Sequence, residues 1–378
     1  MKTYCAIFIA FILVLWSVAS AQSFFSMRGL GEEIINTDAV MTALGSAIAL
    51  SYQNPSFPLL KENMVFQAGI IGSAAYAKEA NNHRLIADAR PNYLKALFAL
   101  PLDFGLGLGL AERFNQNFNI YSETTRGYQR QVVGYGGIYS FGVSVAKSFY
   151  KHIGFGLEYN RNFGNSQERW LFQALPQVTI TTDTIVTNYR GDLLKFGICA
   201  NFRDFNFGAI YEKVLPIYID SRVIAHGVIT DSVNGLKFQL PPRIGFGLSF
   251  KPINDLILCL DYFYRNSKDI KINDSTFAIY RNSNKYSIGL VYNHFDQHPL
   301  RIGYRYYDWY FADHNNKLIN EQAITFGSSI FIPKFGSFDL ALELIHRQGS
   351  SLTENIGRLN LTLHYEEAWK IRKRRWGY

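Results

Sequence analysis

Apolar and polar residues alternate along most of this chain, in segments separated by connections that are short and long in turn. Successive side chains of a β-strand point to opposite faces, so this alternation predicts strands with one apolar and one polar face. Fourteen such segments follow one another as far as residue 365. The predicted strands are 65–76, 94–102, 105–115, 132–150, 153–163, 185–202, 205–214, 236–251, 255–266, 278–294, 299–309, 321–332, 336–346 and 355–365.

The lengths of the connections indicate how these strands are arranged. The short connections are Asp103-Phe104-Gly105, Lys151-His152, Arg203-Asp204, Pro252-Ile253-Asn254, Asp296-Gln297-His298 and Pro333-Lys334-Phe335. A closed antiparallel barrel in an outer membrane has short periplasmic turns on one rim and long loops on the other. We therefore predict an all-β fold, a transmembrane antiparallel β-barrel of about 14 strands over residues 65–365. An even strand count places both termini on the periplasmic side of a bacterial outer membrane.

The alternation also predicts which side chains face lipid and which face the lumen. In the last segment Leu359 and Leu361 share one face, and Arg358 and Asn360 share the other. The apolar face must meet lipid, because a charge there costs roughly 2–4 kcal/mol at the bilayer midplane. The predicted lumen charges are Glu158, Lys195, Glu212, Arg243, Asp261, Lys285, Arg301, Arg305, Asp339, Glu343 and Arg358.

Charges of both signs in a lumen are expected to pair between neighbouring strands. If the connecting loops are symmetric, Glu343 lies opposite Arg358, and Asp261 can reach Lys285. A purely structural ladder of ion pairs is the alternative to a role in transport for each of these charges.

The first 64 residues lack strand alternation. Residues 1–21 combine Lys2, an apolar run and Ala19-Ser20-Ala21, which predicts a secretory signal peptide cleaved before Gln22 rather than a membrane anchor. Residues 22–64 are rich in small and apolar residues, which favours a compact plug inside the barrel over a disordered arm. The predicted plug contacts are Leu44, Gly45, Ile48, Leu50, Asn54 and Pro55.

Composition and charge narrow the functional classes. Aromatic residues make up 16% of the 378 residues, which suits strands and interfacial girdles. Much of the net charge of +8 lies in the predicted periplasmic tail 366–378, where contact with solvent or anionic lipid is favoured over nucleic acid. Cys199 and Cys259 are predicted to be separate buried or lumen-facing thiols.

No chemistry-bearing motif accompanies this pattern. Histidines are scattered over turns and strand ends, and neither a nucleophile elbow nor a ligand cluster can be read. We therefore expect no enzymatic activity, no metal and no cofactor.

Two stretches resemble the FadL family of long-chain fatty-acid and hydrophobic-compound transporters. TALGSAIALSYQNPSF (42–57) resembles the start of those proteins, with small residues followed by Asn54-Pro55, although Ser56 stands where the family has alanine. LPPRIGFGLSFKPINDLILCLDYFYRN (240–266) resembles their proline-containing hairpin, whose second strand carries an acidic residue, here Asp261.

The resemblance implies a plugged fourteen-strand barrel for passive uptake of hydrophobic compounds such as long-chain fatty acids. It suggests an apolar pocket at Phe57, Phe66 and the plug, and a lateral gate at Gly105, Gly107 and Gly109, where room for the plug is the alternative. Expected partners are outer-membrane lipid, a hydrophobic ligand and the barrel-assembly machinery. A general porin and a barrel component of a secretion or assembly system remain open as alternatives.

Overall fold

The computed structural model describes most of the mature chain. The described ranges are 23–56, 63–79, 82–123, 128–150, 152–174, 179–225, 227–293, 298–313, 315–332 and 336–368. The predicted signal peptide, Phe57 and nearly all of the predicted basic tail lie outside these ranges, as do Lys151, Asp296-Gln297 and Pro333-Lys334-Phe335 of three predicted short turns.

Strands dominate the structure. They are β1 Glu32–Glu33, β2 Asn63–Glu79, β3 Asn82–Leu100, β4 Phe104–Asn115, β5 Phe118–Glu123, β6 Tyr128–Phe149, β7 Ile153–Ala174, β8 Thr179–Asn201, β9 Phe205–Val214, β10 Ile217–Ala225, β11 Val228–Gln239, β12 Arg243–Ile253, β13 Leu256–Arg265, β14 Lys271–Ile272, β15 Ser275–Thr276, β16 Ser283–Tyr292, β17 Leu300–Ala312, β18 Leu318–Ile332, β19 Gly336–Gln348 and β20 Leu352–Ala368. Within the described ranges, one α-helix, α1, covers Ala39–Ala43, and four 3-10 turns cover Phe24–Met27, Ile48–Leu50, Pro101–Asp103 and Ser267–Asp269.

Fourteen of these strands close into an antiparallel barrel, which confirms the predicted fold class. The barrel strands are β2, β3, β4, β6, β7, β8, β9, β12, β13, β16, β17, β18, β19 and β20. Closure comes from pairing of the first and last strands along their full length, from Asn63 opposite Ala368 to Glu79 opposite Leu352. This pairing joins the first barrel strand to the last and closes the sheet on itself.

The outer face of the barrel is apolar over the height of a bilayer. On β7, the outward residues from Ile153 to Tyr159 are 38–48% exposed and apolar, and on β19 Leu340, Leu342 and Leu344 follow the same rule. Among the described residues, no helix is long and apolar enough to cross a membrane. A continuous belt of exposed Leu, Ile and Phe is stable only against lipid, so this barrel spans a membrane.

The strands continue well beyond that belt, which corrects the predicted lengths of the connections. Residues predicted to form long polar connections, such as 164–184, largely extend β7 and β8. The apolar signal ends where lipid ends, whereas the backbone ladder does not need an apolar face to continue into water. We call this extension, built from β5, β10, β11 and the distal halves of β6, β7 and β8, the projecting sheet.

The plug, residues 23–56, runs lengthwise through the lumen. Ser23 lies near the rim of the longer connections, where its hydroxyl donates to Glu354 at 2.7 Å. Pro55 lies against Gly156 and Gly197, toward the rim of the short turns. The described ends of the chain, Ser23 and Ala368, thus lie at opposite rims. The compartment that each rim faces stays a prediction.

Helix α1 is fixed by its cap and its small residues. The Asp38 carboxylate accepts a hydrogen bond from the Met41 N–H at 2.7 Å, which satisfies a free donor of the first turn. Ala39 and Ala43 pack on Ala341 of β19, which brings the helix close to the wall.

A lysine in the belt tests the lipid-facing assignment. Leu260 lies at the middle of β13 and is 50% exposed. Because Leu260→Lys places a charge against lipid, we expect it to lower the free energy of unfolding by about 2–4 kcal/mol. Urea unfolding in phospholipid vesicles measures this loss. Asn165→Lys, outward on β7 beyond the belt, is the matched control and should change little. Equal losses for both variants would contradict the assignment.

Candidate functional site: the plug inside the barrel

A ring of small inward residues receives the second half of the plug. Register places Gly156 opposite Gly197, Gly208 opposite Gly247, and Gly289 opposite Gly303 on adjacent strands. We call the set the glycine ring, with members Gly156, Gly197, Gly208, Gly247, Gly289, Gly303 and Gly327. Its members lie in the lower lumen and face residues 43–56 of the plug.

The glycine ring lets the plug backbone touch the wall directly. A Cβ added to Gly303 would lie 2.5 Å from the Leu44 carbonyl carbon, and one added to Gly289 would lie 2.7 Å from the Leu44 oxygen. A Cβ on Gly247 would lie 2.8 Å from Ile48 Cβ. No side chain fits at these distances, so glycine is required by close approach of the plug.

The two cysteines belong to the same layer. Both are buried and free, with Cys199 beside Ala49 and Cys259 in a cluster with Leu44 and Ala47. They act as small apolar residues against the plug.

Plug residues of the 42–57 motif are hydrogen-bonded to the wall. The Asn54 amide donates to the Ile198 carbonyl at 2.9 Å, and its oxygen accepts from the Ser56 N–H at 3.1 Å. Asp261 accepts from the Ile48 N–H at 2.7 Å. Asn54 and Asp261, which belong to the two stretches that resemble the FadL family, therefore each form a hydrogen bond between plug and wall.

Above the glycine ring, two adjacent glutamates of β1 are held by arginines from two separate parts of the barrel wall. Glu32 pairs with Arg347 of β19 and with Arg358 of β20 at 2.8 Å. Glu33 pairs with Arg243 of β12 at 3.1 Å and Arg265 of β13 at 2.9 Å. Adjacent residues of an extended segment point in opposite directions, which is why two neighbouring carboxylates can reach two walls.

These pairs extend into a buried network across the lumen. Glu212 of β9 binds Arg113, Arg243 and Arg265, while Glu321 of β18 binds Arg305 and Arg347. We call the whole set the ion-pair layer, with members Glu32, Glu33, Arg113, Glu212, Arg243, Arg265, Arg305, Glu321, Glu343, Arg347, Glu354 and Arg358.

The plug glutamates are ionised in this layer. Burial works against the charged form of Glu32, but Arg347 and Arg358 outweigh it and lower the pKa of Glu32 from 4.5 to about 2. Burial also opposes ionisation of Glu33, and Arg265, Arg243 and Arg113 lower its pKa below the usual range. Two compensated charges thus bind the plug to four strands.

An aromatic cap closes the lumen beyond the ion-pair layer. Trp309, Tyr310 and Phe311 of β17 are almost fully buried, and Phe25 and Leu30 of the plug pack with them. The Tyr310 hydroxyl accepts from the Leu30 N–H at 3.0 Å and donates to the Gly31 carbonyl at 2.8 Å. The Arg347 guanidinium lies 4.7 Å from the centre of the Trp309 ring, which links the cap to the ion-pair layer.

Two small cavities adjoin this network within the part of the lumen that the structure describes. One cavity of about 40 Å³ adjoins Glu32, Lys285 and Arg305, and a second of about 100 Å³ adjoins Lys195 and Glu212. Pockets that hold apolar ligands are usually at least ~300 Å³ and mainly apolar. These two cavities suit a few waters rather than a hydrocarbon.

The structure places all the predicted lumen charges on inward faces of their strands. Glu343 lies opposite Arg358, as the symmetric loop predicts. The other register prediction is wrong, because Asp261 lies opposite Ser287 and Lys285 lies opposite Phe263. The connection that precedes β16 contains the β14–β15 hairpin and is not symmetric, so Lys285 instead donates to Asn36 of the plug at 2.7 Å.

The glycines predicted as a lateral gate lie in a paired part of the wall, where Gly107 and Gly109 line the second cavity, and their role as a gate stays a prediction. From Phe104 to Ala111, β4 is paired with β3 on one side and β6 on the other, and this stretch includes Gly105, Gly107 and Gly109. Phe66 is misplaced as a pocket residue, since it is 39% exposed on the outer face beside Phe98.

The backbone ladder is interrupted farther along β4. Beyond Tyr93 opposite Ala111, β3 pairs only with β2 in the described residues, and β4 pairs instead with β1 of the plug. Arg90 bridges this β3–β4 seam with a bond to Glu112 at 2.7 Å. The plug therefore completes hydrogen bonds that the wall leaves open.

Several residues of the site were not predicted. Arg347 lies one residue past the predicted end of its strand, but it shares the inward parity of Asp339 and Glu343. The pair Glu32-Glu33 carries no periodic signal of its own, although two adjacent acids in an apolar plug call for buried cations.

Fold and site together define a class: a plugged fourteen-strand antiparallel membrane barrel. The chain belongs to the BamG family, whose model matches residues 1–215 and 217–376. Among curated proteins none matches it in sequence.

Solved structures share the fold at low identity. A FadL homologue from Pseudomonas aeruginosa has a TM-score of 0.64 at 9% identity, covering 88% of this chain and 99% of that one. The toluene transporter TodX of Pseudomonas putida has 0.62 at 14%, and the toluene transporter TbuX of Ralstonia pickettii has 0.61 at 13%. Each covers 89% of this chain and 99% of its own. The resemblance to FadL thus holds for the fold.

Removing one plug charge should loosen the plug. Glu32→Gln leaves Arg347 and Arg358 undercompensated, and breaking such a buried pair costs about 3 kcal/mol or more. We expect lower thermal stability and frequent opening in planar bilayers. Asp274→Asn, in an exposed loop, is the control and should behave as wild type.

The same pair predicts a pH dependence. Because the pKa of Glu32 is below its ordinary 4.5, its stabilisation is full above pH 4.5 and is lost as pH falls toward 2. Thermal melts across this range should show a larger loss for wild type than for Glu32→Gln. Parallel curves would contradict the ion-pair assignment.

A methyl group in the glycine ring should expel the plug without touching a charge. Gly303→Ala places a Cβ against the Leu44–Gly45 backbone, so we expect protease cleavage within the plug and raised conductance. Gly357→Ala has no atom within 4 Å of its added Cβ and is the matched control. A sealed, protease-resistant Gly303→Ala variant would show that close packing does not hold the plug.

Proposed function

We propose that this protein is a closed outer-membrane barrel that serves as a protein-binding component of outer-membrane assembly. The observation that carries the proposal is the filled lumen. The glycine ring, the ion-pair layer and the aromatic cap occupy successive levels of the described lumen, and the two cavities beside them are small and lined in part by charged residues.

Energetics favour a lumen that stays shut. Opening it would separate Glu32 and Glu33 from four arginines and would leave buried charges of both signs without partners. A carrier that cycles with each ligand would have to repeat this separation. A barrel that serves as a membrane-anchored binding surface is made rigid by the same contacts. It does not need to open and close.

Family membership supports the same reading. The name BamG points toward the barrel-assembly machinery, one of the partners expected from the sequence. An assembly role also makes use of the projecting sheet, which stands clear of the lipid belt and offers surface to other proteins.

Uptake of hydrophobic compounds such as fatty acids is the second candidate. The FadL-type fold and the β3–β4 seam favour it, because a seam held by Arg90 and Glu112 can part without breaking a backbone ladder. The named toluene transporters share that fold. We expect no enzymatic activity under either candidate.

Isolation of the native complex separates the two candidates. The tagged full-length protein, extracted from its own membrane in mild detergent, should co-purify with other outer-membrane assembly proteins in fixed ratio. Depletion of the protein should lower the amounts of other barrels in the membrane. Glu32→Gln, which weakens the plug, is compared with the wild type in both measurements.

Assays in lipid vesicles test the uptake candidate. Wild-type protein in liposomes should show no steady conductance and no faster entry of labelled oleate or toluene than empty liposomes. A protein that purifies alone and speeds such entry would overturn the assembly proposal and favour uptake.

A further inference from the structure

Large apolar side chains stand at the tips of four successive short turns of the barrel. Leu102 lies between β3 and β4, Tyr150 between β6 and β7, Phe202 between β8 and β9, and Ile253 beside the turn from β12 to β13. All four are more than half exposed, and Tyr150 is 92% exposed. Turns that face water usually carry Gly, Asn, Asp or Ser. We call these four residues the apolar tips, and their exposure indicates a rim that is covered by something other than water.

Two of the apolar tips occupy backbone positions that normally exclude large side chains. Leu102 has a φ of +62° and Tyr150 a φ of +52°, both in the left-handed region. Gly and Asn are favoured there, because other side chains crowd the backbone. Lys147 helps to hold the first turn, since its ammonium donates to the Leu102 carbonyl and lies 4.4 Å from the centre of the Phe104 ring. Backbone strain at both positions calls for a contact made by the side chains.

The apolar tips continue the lipid belt. Phe149 and Ile153, which flank the turn at Tyr150, are outward and exposed on β6 and β7. Phe205 at the start of β9 is likewise exposed beside the turn at Phe202. Belt residues and tips are thus neighbours along the chain, and the lipid that covers the belt extends to the tips.

The undescribed segments of this chain at the same rim do not account for the tips. Segments 57–62, 294–297 and 333–335 each join two described residues over a few positions, and position 151 is a single residue. Stretches of this length cannot cover an arc of turns that spans eight strands, from β3 to β13. The segment 369–378 is longer, but its cations do not suit burial on apolar side chains.

The segment 369–378 begins at the same rim, close to lipid. β20 ends at Ala368, opposite Asn63 and three positions beyond Tyr365. Tyr365 lies beside Phe66 at the edge of the belt, with ring centres 6.4 Å apart. At about 3.3 Å per residue, the segment therefore starts within about 10 Å of that edge, at the depth of the lipid headgroups.

The composition of 369–378 indicates the kind of lipid. The segment has no acidic residue, and its basic and aromatic residues are Trp369, Lys370, Arg372, Lys373, Arg374, Arg375, Trp376 and Tyr378. A cluster of cations next to a membrane-spanning segment is typical of contacts with anionic headgroups, and Trp and Tyr favour the interface. The same charges oppose a second copy of the chain at this place, because two such segments repel each other.

We propose that the rim of the short turns binds the anionic phospholipid headgroups of the adjacent leaflet. The apolar tips lie among the headgroups, and the cations of 369–378 contact the phosphates. Tips and cations together fix the depth of the barrel in the bilayer. The inference does not rest on the proposed assembly role, since a barrel with either candidate function lies in the same membrane.

The depth of one tip can be measured with the full chain in lipid nanodiscs. Tyr150→Cys is labelled with a fluorescent dye, and phosphatidylcholine with a spin-labelled headgroup is the quencher. Cys199 and Cys259 are buried, and Cys5→Ser removes the third thiol, so the dye reports on position 150. We expect strong quenching there. Labelled Asp274→Cys, in an exposed loop at the other rim, is the matched control and should keep its fluorescence.

Trypsin cleavage tests the charges, because trypsin cuts after Lys and Arg. Adding phosphatidylglycerol to phosphatidylcholine nanodiscs should slow cleavage in 370–375 by about tenfold. Salt at about 1 M, which shortens the screening length to about 3 Å, should restore it. Arg374→Gln combined with Arg375→Gln should lose most of the protection. Cleavage after Lys268, in an exposed turn at the other rim, is the internal control and should not respond to the lipid.

Either measurement can overturn the inference. A dye at position 150 that is quenched no more than the dye at position 274 would place the tips outside the headgroups. Equal cleavage of 370–375 in both lipids would remove the preference for anionic lipid, even if the tips are quenched. Neither assay contains an assembly protein, so its outcome is separate from that of the co-purification.

Discussion

The packing inside this barrel depends on two adjacent carboxylates, Glu32 and Glu33, that bind arginines on two separate parts of the wall. The lumen holds inward charges from most of the barrel strands, and pairs between neighbouring strands do not neutralise all of them. The short strand β1 supplies the missing negative charge at the centre. The wall arginines in turn make a buried, charged plug segment possible, since neither set is stable in the lumen without the other.

The glycine ring below β1 and the aromatic cap above it both support these ion pairs. The plug must approach the wall closely enough to position β1, and the glycine ring permits this because residues such as Gly289 and Gly303 leave room for backbone. The aromatic cap separates the ion pairs from bulk water, and the lower local dielectric strengthens them. Charge, close packing and exclusion of water therefore reinforce one another along a single segment.

The sequence predicted the wall better than its contents. Period-two alternation identified the fourteen strands, and it showed that residues such as Asp339 and Glu343 point inward. It could do so because lipid requires apolar side chains on the outer face of every barrel strand. It did not predict how far β7 and β8 extend, since strands in water need no apolar face. Nor could it place Lys285, whose register depends on a hairpin within a loop, or assign Glu32 to Arg347, a contact between residues more than 300 apart.

A filled lumen changes where function can reside on such a fold. Members of a fold can share a barrel while their activities lie in different sites, so the toluene transporters with this fold do not fix the activity of this chain. Here the interior is occupied by compensated charge, and the distinctive surface is outside, where strands rise from the membrane and end at β11. Strands this long cost backbone entropy, and bilayer spanning requires only about half of their length. Contacts made outside the membrane account for that extra length. For this physical reason we look for the function at the projecting sheet rather than along the lumen.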